Sequence, residues 1–214
     1  MDIAIHITFY YIENRIEYIK RILQNLSAIP HNIKVFIYSN RRFNLISNYR
    51  NIDIELIPFI FLDNRRRLKF LYRFIPLFFR QHIDPYYLAW KNRIYVKGLI
   101  DRYDVQIYME DDIGFTNDSF KYWMEYKEIC KKNNFNLGFL RFEVDVNNNR
   151  LLCTDLCRAP RKTVNIDDQL FLLNDVNVYC GFWIYDREEL KKFVETREWD
   201  FKFNRYDVRE KAAI

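Results

Sequence analysis

Three consecutive carboxylates, Glu110, Asp111 and Asp112, follow directly on the run Val105-Gln106-Ile107-Tyr108-Met109. Like charges on neighbouring residues repel and resist desolvation, so at the end of a strand they call for positive charge from elsewhere. A divalent cation meets that need. Mg²⁺ and Mn²⁺ prefer oxygen ligands and keep several waters, so one or two loop carboxylates plus the phosphates of a substrate complete the shell. If the backbone alternates through the triplet, Glu110 and Asp112 share one side and Asp111 takes the other. Asp112 is then the first expected metal ligand and Glu110 the second. Glu110 and Asp111 are also read toward a bound nucleotide, with Asp111 holding the loop. The competing reading is a solvated acidic turn; the buried character of the strand ahead of it favours a site.

Other residues offer less. Of Cys130, Cys153, Cys157 and Cys180, only Cys153 and Cys157 are close, and they lack the paired C-x-x-C knuckles of a zinc site, so reduced thiols are expected. His6, His31 and His82 show no ligand spacing, and His6, inside a strand pattern, reads as a core histidine with its ring nitrogens satisfied. Gly98, Gly114, Gly138 and Gly181 form no cluster, which leaves no glycine-rich phosphate loop. The segment from Arg65 to Arg80 is both basic and apolar, with Pro76 inside it. A helix with a buried face and solvated arginines is the first expectation there, and peripheral membrane contact through residues 65–80 the second.

The elements that must position the triplet follow from periodicity. Ile3 to Phe9 alternates as a strand, and Ile16, Ile19, Ile22, Leu23 and Leu26 recur at helical spacing within Glu13 to Leu26. Ile33 to Tyr38 and Ile52 to Pro58 are further strands, so the chain opens β-α-β-β. Asp84 to Tyr103 carries Pro85 near a helix start and leads into the strand Val105 to Met109. Thr116-Asn117-Asp118 offers caps for a helix over Phe120 to Cys130, which puts the carboxylates on a strand-to-helix loop. Leu137 to Val144, Leu151-Leu152, Leu170 to Leu173 and Val178 to Tyr185 read as strands, and Glu188 to Val194 as a helix. The order implies a largely parallel sheet covered by helices, whose ligands collect beyond the carboxyl ends of the strands.

Composition sets the outer limits. The chain has 214 residues, 50% hydrophobic and 29% charged, with a formal net charge of +5. That suits one soluble α/β domain over 1–214, with no linker-like stretch inside it. The absence of a signal-like opening and of a bilayer-length apolar run gives the expectation of a cytoplasmic protein, peripheral to the inner face of the membrane if residues 65–80 bind there. The mild charge and the lack of a recognition motif argue against nucleic acid as a partner.

The triplet, in its setting, resembles the D-x-D signature of GT-A glycosyltransferases, in the E-D-D version of the N-acetylglucosaminyltransferase I type. The surroundings match as well: Trp90, Lys91 and Arg93 on a preceding helix, the strand Val105 to Met109, then Phe120, Tyr122 and Trp123. Cys180-Gly181-Phe182-Trp183-Ile184-Tyr185 and the helix after it resemble the acceptor-side strand and helix of such enzymes. The block from Asp84 through Trp90 to Asp112, with Arg209-Glu210 and Ala212-Ala213, is similar to bacterial proteins of unassigned acceptor.

The resemblance implies a GT-A, Rossmann-like fold with a small antiparallel addition in its C-terminal half. About 1–112 would bind nucleotide and 113–214 would form the acceptor half, ending early at Ile214. It implies Mn²⁺ or Mg²⁺ as cofactor, a UDP- or GDP-sugar as donor, and a glycan or lipid-linked acceptor in bacterial surface-glycan synthesis. Thr8, Tyr10 and Asn40 would flank the nucleotide, with Trp90, Lys91 and Arg93 nearby. Glu143, Gly181 and Trp183 would face substrate, against the competing readings of a surface salt bridge for Glu143 and a ring buried against Phe182 for Trp183. Glu210, then Asp207, would be the catalytic base of an inverting reaction. Two further readings stay open: a metal-dependent phosphoryl or nucleotidyl transferase, and a glycan-binding module of the same fold without turnover.

Overall fold

The computed structural model describes residues 1–45, 48–61, 85–145, 147–153, 159–176, 181–196 and 199. Its centre is a five-stranded sheet of β1 (Asp2–Phe9), β2 (Asn32–Ser39), β3 (Ile52–Pro58), β4 (Val105–Glu110) and β9 (Phe182–Asp186), in the order β3-β2-β1-β4-β9. The first four run parallel, and β9 pairs antiparallel with β4. Residues of both expected halves therefore build one sheet. The expected α/β class, mostly parallel with a small antiparallel addition, is what the chain adopts.

Alternation along the strands explains how the sheet is covered. Ile3, Ile5, Ile7 and Phe9 of β1, Val35 and Ile37 of β2 and Ile107 and Met109 of β4 lie in one buried cluster with Ile19, Ile22, Leu23 and Leu26 of α1 (Ile16–Ser27) and with Phe120 and Trp123 of α3 (Asn117–Lys132). The other face carries Ala4, Phe36 and Tyr38 against Leu88 of α2 (Leu88–Gly98), and Tyr108 and Trp183 against Leu190 and Val194 of α4 (Arg187–Val194). Helices cover both faces of the sheet, so its central strands are buried on both sides, as is usual for parallel sheets.

Local signals fix the ends. The Thr116 side chain accepts a hydrogen bond from Ser119 N at the start of α3. Asp186 and Glu189 form a reciprocal capping box on α4, and Asp186 also takes Lys127 at 2.8 Å, which ties α3 to the edge strand. Two expectations need correction. Leu137 to Val144 is not a strand along its length: only β5 (Glu143–Val144) pairs, with β6 (Leu151–Leu152), because β9 already occupies the free edge of β4. A strand the periodicity did not show, β7 (Lys162–Ile166), pairs with β8 (Gln169–Leu173) as a hairpin.

Candidate functional site

From β1 the chain builds outward through β2 and β3, then returns to place β4 on the other side of β1. The carboxyl ends of β1 and β4 are thus the topological switch point, where open α/β sheets leave a crevice. Thr8 and Glu110 are register partners there, and the acidic triplet begins at that spot.

The three carboxylates part company at the end of β4. Asp111 continues the parity of Val105, Ile107 and Met109 toward the α1 side and is 6% exposed. There Arg15, in the 3-10 turn Glu13–Arg15 ahead of α1, donates from Nη2 to Asp111 Oδ1 at 2.9 Å. The same Nη2 lies 3.4 Å from Oδ2 of the half-exposed Asp112. The strand ends at Glu110, and Ile113 N donates to Glu110 O, so Asp112 sits in a turn. Alternation therefore separates Glu110 from Asp111 but does not extend to Asp112, which Arg15 draws to the Asp111 side. Burial pushes the Asp111 carboxyl up to about 7, Arg15 pulls against it, and the charges of Asp112 and Glu110 add to the rise. Asp111 Oδ2 and Arg15 Nε are both buried without a hydrogen-bond partner.

Glu110 lies against the edge strand. Its N–H donates to Gly181 O at 2.9 Å, and a Cβ on Gly181 would come within 3.2 Å of Glu110 Oε2. Gly181 also has φ +64°, so both its backbone and its neighbour ask for glycine. Gly181, expected to face substrate, also gives Glu110 its room.

The ends of β1 and β2 form the adjoining wall. Tyr11 N donates to Asn40 Oδ1 at 2.6 Å, and the Arg41 guanidinium lies 4.1 Å from the centre of the Tyr11 ring. Tyr10 is solvent-exposed, and Thr8 Oγ1 is buried without a partner. Beyond β3, the half-buried Lys91 at the start of α2 lies over Phe59, with its ammonium pKa lowered by burial. Trp90 contributes its ring to the Arg93 guanidinium at 4.6 Å.

Arg93 and Trp183 are placed otherwise than expected. Arg93 is 5% exposed, stacked between Trp90 and Trp199, and donates to Trp199 O at 2.9 Å. Its guanidinium ties α2 to the segment after α4, which suits a planar group with aromatic faces on both sides. Trp183 is 6% exposed, stacked on Tyr108 and edge-on to Phe193, so its ring belongs to the core under α4. Glu143 is exposed on β5. Asp207 and Glu210, the expected bases, and residues 65–80 lie outside the described residues. Arg15 escaped the sequence reading; the only signal for it was a cation in the turn that follows the strand beside β4.

Among the described residues no group of three or more His, Cys, Asp or Glu side chains is placed to hold a metal ion. The donors present still fit a hard cation: they are oxygens only, Asp112 is open to solvent and Asp111 Oδ2 is orphaned. Magnesium-type sites commonly use one or two carboxylates and leave the rest to water and phosphate. A cavity of about 530 Å³ lies between α3, the 134–140 loop, the β7–β8 hairpin and β9, with Phe139, Phe171 and Phe182 in its wall and none of the three carboxylates in its lining. Cys130 and Cys153 are free thiols, and no described helix is long and apolar enough to cross a membrane.

No protein-family model matches the sequence, and no curated protein does. Among solved structures the chain is similar to residues 1–349 of S. aureus TarS, with a TM-score of 0.45 and 11% identity over 100% of this chain and 55% of that one. The chain thus spans little more than half the length of that structure, and likeness at that level is silent on activity.

Proposed function

We propose that the chain is a metal-dependent glycosyltransferase that moves a sugar from a nucleotide-activated donor to a hydroxyl acceptor, with inversion, in bacterial surface-glycan assembly. The observation that carries this reading is the acidic triplet at the β1/β4 switch point, the place where this topology leaves a crevice. Three carboxylates there attract no anion without help, so a cation-bridged diphosphate is the ligand their charge fits.

Asp112 is the residue that would hold Mn²⁺ or Mg²⁺, with water and phosphate completing the shell, and the metal when bound neutralises charge developing on the departing nucleoside diphosphate. Glu110, on the other side of the strand end, would position the ribose or the sugar. Tyr10, Tyr11 and Asn40 flank the nucleotide base, and Lys91 adds a half-buried cation to the same rim. A carboxylate, Glu210 first and Asp207 second by resemblance, takes the proton from the acceptor hydroxyl. The acceptor enters from the side of Gly181 and Glu143.

Isothermal titration of the full chain with UDP- and GDP-sugars, with and without Mn²⁺, tests this. Binding of one nucleotide class that strengthens with Mn²⁺ is expected. Absence of nucleotide binding in a folded sample would sink the reading.

A further inference from the structure

Arg15 holds two members of the triplet unequally. Its Nη2 meets Asp111, whose side chain is 9% exposed, at 2.9 Å, and Asp112, whose side chain is 46% exposed, at 3.4 Å. The first contact is short, shielded and charge-assisted; the second is long and open to water, where ion pairs contribute little. Both leave from a single nitrogen of a group that offers a planar fork of donors. Nε, the other arm of that fork, is buried without a partner, and so is Asp111 Oδ2. A two-bonded fork would satisfy both atoms; the single-bonded arrangement keeps Nη2 shared with Asp112 instead.

We propose that Arg15 is a positioning residue that acts as the triplet's internal counter-cation, fixed on Asp111 and exchangeable on Asp112, so that metal reaches Asp112 by displacing Nη2. This rests on reading the triplet as a metal-diphosphate site. Two consequences follow from charge alone. With no nucleotide present, a guanidinium a few ångströms from the entering cation weakens its binding. Once a diphosphate is present, the same positive charge favours the ligand that accompanies the metal. Free metal is held loosely and the metal-diphosphate pair tightly, which couples the two ligands.

The test is an Mn²⁺ titration of the purified full chain, read from the electron paramagnetic resonance signal of free Mn²⁺, with and without UDP or GDP. Arg15→Gln removes the charge but keeps an amide donor for Asp111. It is expected to bind free Mn²⁺ about three- to tenfold more tightly than the unaltered chain, and to lose most of the strengthening that nucleotide gives. Arg15→Lys, which restores the charge, should return to the unaltered behaviour, and Asp112→Asn should lose Mn²⁺. Thermal unfolding checks that each variant is folded; if Arg15→Gln is not, Arg15→Met reads the same loss of charge. Mn²⁺ affinity unchanged or weakened in the folded neutral variant overturns the exchange and leaves the metal site standing. Mn²⁺ retained by Asp112→Asn also overturns it. No Mn²⁺ binding by the unaltered chain even with UDP and GDP present overturns the exchange together with the metal reading beneath it.

Discussion

Two buried polar clusters lie on neighbouring strands, and they are built on opposite plans. In the middle of the sheet, His6 Nδ1 lies 2.8 Å from Tyr38 Oη and Nε2 lies 2.8 Å from Gln106 Oε1. Gln106 in turn donates from Nε2 to Val96 O. That fixes the roles: Nε2–H donates to Gln106, and Nδ1 accepts from the tyrosine. Three strands and a helix are joined by a chain with every ring nitrogen used, the ring stacked at 5.2 Å on Phe36. At the carboxyl edge, the Arg15–Asp111 pair leaves one buried atom on each partner without a bond. A satisfied network specifies a core, whereas a half-satisfied one at a crevice costs stability and persists where a ligand completes it. Breaking each cluster in turn should expose the difference.

The largest effect is expected at the satisfied cluster. His6→Leu removes both ring nitrogens and leaves the Tyr38 hydroxyl and the Gln106 carbonyl buried without partners, at a loss of about 4 kcal/mol. Thermal unfolding should fall by roughly 10 °C, while Mn²⁺ binding per folded molecule stays as it was. A small change in melting temperature would show that the network contributes little to stability.

Acid should do nearly the same without a mutation. Burial holds the His6 pKa down to about 4, below the usual 6.5 of a histidine, although the bond to Gln106 opposes the shift. The unfolded chain therefore binds the proton first, so this contribution to stability is intact above pH 6.5 and lost as pH falls from there to about 4. Its full size is about 3 kcal/mol. Asp111, raised to about 7, contributes with the opposite sign in the same window but equally in both the unaltered chain and a folded His6→Gln variant. Denaturant midpoints of the unaltered chain should therefore fall relative to those of the variant as pH drops from 6.5 to about 4; equal slopes would reject the assignment.

How much of this could be read from sequence divides along the same line. The satisfied interior was legible: alternation marked β1 and the bounds Ile52–Pro58 of β3, and His6 read as a core residue because it sat within an apolar strand. The β7–β8 hairpin was not, because its two-residue turn is Asp167-Asp168, both at positive φ, where asparagine or glycine gives the usual signal. The triplet and its place at a strand end were legible too. Its partner was not: Arg15 and Asp111 are 96 positions apart, and only the fold brings them together. The burial of Arg93, and the choice between a stacked sugar and a core ring for Trp183, stayed hidden for a related reason. An arginine or tryptophan near a motif looks available for a ligand until the register shows which face it takes.

At the edge cluster, the effects should fall on ligands before they fall on stability. Asp112→Asn keeps the shape of an exposed turn residue and removes one charge, so melting should hardly move. Mn²⁺-dependent nucleotide binding should weaken by roughly 100-fold, about 2.7 kcal/mol. Unchanged calorimetric affinity would remove Asp112 from the site.

The smallest effect should have the opposite sign from that at His6. Asp111→Asn leaves an acceptor for Arg15 Nη2 but replaces a buried carboxylate, one oxygen of which has no partner, with a neutral amide. A neutral orphan costs less than a charged one, and Arg15, whose side chain is 31% exposed, keeps both water and Asp112. In EDTA at pH 8 the variant should gain about 1 kcal/mol, visible as a melting temperature two to four degrees higher. A loss on the scale of His6→Leu would mean that the Arg15–Asp111 pair is as much a part of the core as the histidine network, and the contrast between the two clusters would fail. A gain would show that the edge holds a charge the fold alone does not favour, the condition under which a bound cation contributes most.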